Sequence, residues 1–170
     1  MTSDPPRIRP ATPADLDAIL AVAAASPEAP HWPPSSYEPY LSPRDPSTNP
    51  APNPALLRTA WVAAGPSLGT PILGFACATL LADGQENRCE LDTLAVLPAA
   101  RRHGLGAALL SSVRAWAVER EARRLTLEVR ASNAAAVRLY EHSGLRCEGR
   151  RPRYYADPEE DALILGIALP

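Results

Sequence analysis

The sequence lacks the features that announce several protein classes. Residues 1–10 carry no apolar run, so no signal peptide is expected. No stretch is apolar for long enough to cross a bilayer, which argues against a membrane partner. The net charge is only −2 over 170 residues, too near neutral for a surface whose main business is nucleic acid. The three cysteines, Cys77, Cys89 and Cys147, are odd in number and widely spaced, with no CxxC pair. They read as free, mostly buried thiols in a reducing cytoplasm, and none sits beside an activating base. His31, His103 and His142 are scattered, so no metal site is expected. What remains is one domain over residues 1–170, 46% hydrophobic and long enough for a real core.

The most informative stretch is 91–121. Leu91, Leu94, Val96 and Leu97 read as a strand closed by Pro98. A basic loop follows, Arg101-Arg102-His103-Gly104-Leu105-Gly106. Ala107, Leu109, Leu110, Val113, Trp116 and Ala117 then recur at helical spacing. Strand, glycine loop and helix start together favour a bound phosphate. The first helical N–H groups have no intrahelical acceptor, and the helix dipole adds partial positive charge there. Gly104 and Gly106 allow a sharp turn and a close approach, and Arg101 and Arg102 add full charge. The loop has no Gly-Lys-Ser/Thr ending, and Leu109 stands where a third dinucleotide-binding glycine would be.

Along the rest of the chain, 7–9 is a short candidate strand. Thr12-Pro13-Ala14-Asp15 is a helix start, with Thr12 as cap and Asp15 in a near capping box. Leu16, Ile19, Leu20 and Ala23 share a face of that helix, which should stop near 26–27. Half of the twenty prolines fall between 27 and 54, so a Pro-rich loop or insertion is expected at 27–56, with room for a turn or two of helix at 35–41. Its one bulky feature is His31-Trp32-Pro33: Trp32 either anchors a surface loop or walls a substrate groove. Runs at 59–64, 72–81 and 88–97 read as an antiparallel meander, with a hairpin turn at 82–85. RLTLEVR, 124–130, alternates with period two: Leu125, Leu127 and Val129 point one way, Thr126, Glu128 and Arg130 the other. Ser132 should cap a helix over 133–142 that ends at Gly144. Two strands, 145–151 and 162–169, follow, joined by 152–161. The pattern predicts a mixed α/β sheet flanked by helices, with one parallel crossover.

Arg101-x-x-Gly104-x-Gly106-Ala107 resembles the loop with which the GNAT superfamily of acetyltransferases holds the pyrophosphate of acetyl-coenzyme A. From Leu127, LEVRASNAAAVRLYEHSGL resembles the segment that marks RimI-type ribosomal-protein N-terminal alanine acetyltransferases. Arg150-Arg151-Pro152-Arg153-Tyr154-Tyr155 and Glu160-Asp161-Ala162 resemble that group's hairpin and final strand. The resemblance covers 91–169. Earlier only the opening strand and helix and His31-Trp32-Pro33 look similar, and 40–54 departs from the group.

The resemblance implies a GNAT fold, a mostly antiparallel mixed sheet with acetyl-CoA as cosubstrate at the strand–loop–helix junction, and no metal. It implies transfer of acetyl to a protein N-terminal amine, on the alanine terminus of a ribosomal protein. The cofactor-binding set it implies is Leu94, Ala95 and Val96 along the strand, Arg101 to Ala107 including His103 and Leu105, then Asn133 and Tyr140. His103 on its own residue type reads as a surface residue, and Asn133 as a plain first-turn helix residue. Glu128 would be the base, against a solvated strand glutamate or a partner for Arg130. Tyr140 would be the acid for the leaving thiolate, against an aromatic packing beside Val137. Tyr154 and Tyr155, with Trp32, would bind substrate, against strand aromatics covering a sheet edge. An α-amine titrates near 8, so exposing its neutral form at pH 7 costs about 1 to 1.5 kcal/mol, against roughly 4.5 for lysine. That suits a carboxylate base and a terminal amine. The rivals are a GNAT acting on a small-molecule amine and a non-catalytic CoA-binding module.

Overall fold

The computed structural model describes residues 6–42, 56–65, 71–82 and 86–170. Residues 1–5, most of the Pro-rich segment (43–55), the stretch 66–70 and residues 83–85 of the hairpin turn expected at 82–85 lie outside the described residues.

Strand β1 is Arg7–Pro10. A 3-10 turn, Pro13–Asp15, leads into α1, Leu16–Ala24, and α2 is Pro34–Leu41. Strands β2 (Leu56–Ala64), β3 (Ile72–Ala82) and β4 (Asn87–Val96) form the meander. Helix α3 (Leu105–Glu119), β5 (Arg124–Arg130) and α4 (Ala134–His142) follow. The chain closes with β6 (Arg146–Ala156) and β7 (Glu159–Ala168). The described strands form one sheet in the order β1-β2-β3-β4-β5-β7-β6. Only β4 and β5 pair parallel; the other neighbours are antiparallel. The expected mixed, mostly antiparallel sheet flanked by helices is the sheet observed.

Each face of the sheet has its own core. On one face α3 lays Leu109, Val113 and Trp116 over Ala76, Ala78, Leu91 and Leu125, with Trp116 edge-on to Trp61 at 5.8 Å. On the other, Ile19 and Val22 of α1 and Tyr37 and Tyr40 of α2 cover Val62, Phe75 and Cys77. Covering both faces explains why β3 reads as a nearly unbroken apolar run. In α3 the first buried position is Leu105; Ala107, expected on that stripe, is exposed. Cys77 and Cys89 are buried as expected, but Cys147 is exposed because it lies on edge strand β6.

Local signals placed most ends within a few residues. Asp15 completes the box at the first helix: its carboxylate accepts the Thr12 N–H at 2.8 Å and the Thr12 hydroxyl at 3.0 Å. Arg9 grips the same carboxylate with two hydrogen bonds, at 2.7 and 2.8 Å. The cap of α4 is not Ser132 but Asn133, whose side-chain oxygen accepts from the Ala136 N–H at 3.1 Å. Ser132 instead donates to Glu160 at 3.0 Å. The segment 152–161 is not a loop: β6 and β7 run on to Ala156 and from Glu159, around a tight Asp157-Pro158 turn.

The feature that makes a site is where β4 and β5 part. Their ladder runs only from Arg88–Arg124 to Leu91–Leu127. Beyond it β4 stays with β3 as far as Val96, and β5 stays with β7 as far as Arg130. Asp92 is skipped in the β3–β4 register, which passes from Ala78–Leu91 to Cys77–Thr93. Such a bulge bends its strand and ends regular pairing, and the two strands splay from that point.

Candidate functional site

The splay opens a cleft of about 870 Å³. The glycine loop, the start of α3, and Tyr154 and Tyr155 of the β6–β7 hairpin line it. Leu94, Ala95 and Val96 of β4 line it, as do Glu128, Asn133 and Tyr140.

The loop is built for a tight turn. Arg102 and Gly104 both have positive φ, at 69° and 80°. A Cβ on Gly104 would meet nothing within 4 Å, so backbone conformation rather than space calls for glycine there. At Gly106 the reason is space: a Cβ would come within 3.0 Å of Leu139 on α4. Ala108 makes the first helical hydrogen bond, to Gly104, at 3.0 Å. The amides of Leu105, Gly106 and Ala107, all on cleft-lining residues, come before it. Arg102 lines the cleft and is exposed. Arg101 is not a free charge. Its Nε donates to the Val96 carbonyl at 3.0 Å, and its guanidinium meets Glu28 at 3.2 Å. It straps the end of β4 to the segment after α1. The Glu28 carboxyl is held below its usual range by its own backbone N–H and by Arg101. His103 does not line the cleft; with Pro6, Leu73 and Leu97 it borders a smaller apolar hollow.

Glu128 stands on the cleft face of β5, opposite buried Leu125, Leu127 and Val129. Its partner is Arg151, at 2.5 Å, and the Tyr154 hydroxyl donates to it as well. Arg130 is engaged elsewhere, donating to the Asp157 and Pro158 carbonyls at 3.0 and 3.3 Å and lying 4.1 Å over the Tyr155 ring. Tyr140 is 6% exposed and belongs to the α3-side core while also lining the cleft. Burial first, and Tyr155 second, push its phenol well above the ordinary value. It therefore stays protonated at neutral pH and is available as a donor. Trp32 packs on Tyr37 and Tyr40, ring centroids 5.3 and 6.0 Å away, and also lines the cleft. It is both loop anchor and wall. Asn133 spends its oxygen on the α4 cap, so its amide nitrogen is the group it can offer the cleft.

Sequence reasoning missed the wall made by β4. Glu90 and Asp92 both line the cleft. Thr79 Oγ1 donates to Asp92 at 2.7 Å, and the Tyr40 hydroxyl binds the same carboxylate. Burial pushes Asp92 up to about 6. Glu90 is also raised, by burial and then by the charge on Glu128. Alternation would have found Glu90, between buried Cys89 and Leu91. The bulge hides Asp92 from any such count. Among the described residues no group of three or more His, Cys, Asp or Glu side chains is arranged to hold a metal. No described helix is long and apolar enough to cross a membrane.

Residues 25–145 match the model of the Acetyltransferase (GNAT) family. A putative ribosomal protein bS18-alanine N-acetyltransferase of Bacillus subtilis is 40% identical over 80 residues, 47% of this chain and 53% of that protein. The chain spans about half the length of the curated relatives it matches. The crystal structure of the Escherichia coli ribosomal-protein-S18-alanine N-acetyltransferase superposes with a TM-score of 0.72 at 28% identity, over 96% of this chain and 93% of that one. Arabidopsis thaliana NAA60 in complex with acetyl-CoA shares the fold, with a TM-score of 0.80 at 19% identity, over 96% and 98% of the two chains.

Proposed function

The chain belongs to the GNAT family of acetyltransferases, and from that premise we propose that it moves acetyl from acetyl-CoA to a protein N-terminal α-amine. The leading target is the alanine terminus of ribosomal protein bS18, the substrate named for its relatives. One observation carries the reading: Glu128 and Tyr140 line the same cleft as the glycine loop, where β4 and β5 part.

The residues fit the cosubstrate. The left-handed turn at Gly104 and the amides opening α3 would hold the pyrophosphate, with Arg102 adding charge. The edge of β4 that β5 leaves unpaired, at Leu94 to Val96, would run beside the pantetheine arm, and Asn133 would donate to it. When bound, acetyl-CoA supplies an activated acyl thioester. Glu128 accepts the proton the amine loses as its nitrogen bonds to the acyl carbon. Tyr140 gives its hydroxyl proton to the departing sulfur and regains one from solvent. Tyr154, Tyr155 and Trp32 wall the groove that presents the amine. A chain with this chemistry works in the cytoplasm, where acetyl-CoA and new protein N-termini meet.

The test is a mass-shift assay with two peptides: one with a free N-terminal alanine and no lysine, the other with a blocked N-terminus and an internal lysine. All 17 basic residues of the chain are arginines, so lysine self-acetylation cannot confuse the readout. Acetylation of the first alone is expected. Acetylation of neither, with acetyl-CoA still bound, would turn the reading to a small amine or a binding role.

A further inference from the structure

We propose that the β4 wall of the cleft is a cation subsite, in which Glu90 and Asp92, with the hydroxyls of Ser26 and Thr93, receive a lysine or arginine side chain on the residue after the acceptor amine. The inference rests on the reading that the acceptor is a peptide N-terminus.

Position comes first. Glu90 pairs with Thr79 across the β3–β4 ladder, and Thr79 binds Asp92. Both carboxylates therefore lie on the sheet face covered by α1 and α2, and both line the cleft. Glu90 also pairs with Thr126, two residues before Glu128. Two residues of strand span about 6.6 Å. An amine held at Glu128 thus lies within one long side chain of this wall.

Two orphan hydroxyls line the same cleft as this pair of acids, Thr93 on β4 and Ser26 just after α1. Ser26 is 2% exposed and Thr93 is 5% exposed. The oxygens of both are buried without a hydrogen-bond partner, and both residues line this cleft. Buried polar atoms are rarely left so, and each unpaired one costs free energy. A lysine ammonium brings three donors and an arginine guanidinium five, with no acceptor to conflict. The wall needs a cation for a second reason. Asp92 has hydrogen bonds from Thr79 and Tyr40, yet burial and the like charge of Glu90 outweigh them and the nearby Arg58, and its carboxyl is raised. Glu90 is raised by burial and by Glu128, with only Arg151 opposing. Negative charge on this side is under-compensated, and an incoming cation supplies what is missing.

The experiment uses the full chain, acetyl-CoA and four peptides that share an N-terminal alanine and differ at the second residue: arginine, lysine, leucine or glutamate. The expected kcat/KM is at least about tenfold higher for arginine and lysine than for leucine, with glutamate lowest. In Asp92→Asn and in Glu90→Gln the ratio of basic to leucine peptide should fall to within about threefold. If Asp92→Asn does not fold, Glu90→Gln alone carries the comparison. Equal rates for arginine and leucine in the parent, or a preference that survives both substitutions, would overturn the subsite. If no peptide turns over, the proposed activity fails. The subsite is then still decided by calorimetric binding of the same peptides with coenzyme A present, where equal affinities reject it.

Discussion

A carboxylate that is to act as a base must first release whatever it holds. Glu128 holds Arg151 and the Tyr154 hydroxyl. The Arg151 side chain is 57% exposed and that of Glu128 18%, and an ion pair with one partner so open to water contributes only about 1 kcal/mol. A substrate ammonium can therefore displace it. Tyr140 is the opposite case, a buried phenol that keeps its proton. Glu128→Gln should lower kcat by about 10²- to 10⁴-fold, the usual worth of general-base catalysis, and leave acetyl-CoA affinity within about twofold. Tyr140→Phe should lower kcat more than it raises KM. Steady-state kinetics near pH 7, with calorimetry of acetyl-CoA, separates these effects. Parent-like turnover in Glu128→Gln removes Glu128 as the base, and unchanged kinetics in Tyr140→Phe return Tyr140 to core packing alone.

The start of α4 combines two demands in one residue. The oxygen of Asn133 caps the helix, and its amide nitrogen is proposed to donate to the cofactor arm. Asn133→Asp keeps a capping oxygen and removes the donor. Asn133→Ala removes both. The alanine variant should lose about 1 kcal/mol of stability, the typical worth of such a cap. The aspartate variant should keep its Tm and bind acetyl-CoA more weakly. An aspartate variant that binds like the parent would leave Asn133 a cap and nothing more. Reading this helix from sequence put the cap one residue early, because Ser132 and Asn133 are both good caps and propensity does not choose between neighbours. β5 was legible to the residue, since one face is packed and the other faces the cleft, and alternation records that contrast. β6 was legible only in part. It is an edge strand exposed along nearly its whole length, so it carries no alternation, and Arg150-Arg151-Pro152-Arg153 looks like loop. The Arg101–Glu28 strap joins residues 73 apart, and the bulge at Asp92 exists only through pairing with β3. No local pattern records either one. The loop, Glu128 and Tyr140 could be singled out in sequence, through motif and family resemblance; on β4 alternation singles out Glu90, but not Asp92 beside it.

At the scale of the whole molecule two carboxylates pull stability in opposite directions. Asp15, gripped by Arg9 and Thr12, ionises at about 2 against an ordinary 3.8. The folded chain binds that proton less readily than the unfolded one. Stability from Asp15 is therefore present above about pH 4 and is lost as pH falls toward 2. Asp92 ionises at about 6 against 3.8, because burial outweighs its hydrogen bonds. Here the folded chain binds the proton more readily, so stability is present below about pH 4 and is lost as pH rises through 6. Each shift corresponds to roughly 2 to 3 kcal/mol. The groups facing Asp92 are Tyr40 from α2, Arg58 from β2, Thr79 and Cys77 from β3, and Glu90 and Cys89 on its own strand. Of these Glu90, itself raised, steepens the same limb. These two groups together should therefore give a stability that rises from pH 2 to about 4 and falls again toward 6, with the second loss located in the cleft. Urea unfolding across pH 2 to 8 would show this maximum. Asp92→Asn should flatten the limb between pH 4 and 6, and Asp15→Asn the limb below 4. If the Asp92→Asn curve falls as steeply as the parent's between pH 4 and 6, the carboxyl is already compensated in the free fold, and the cleft gives up no stability there for a cation to restore.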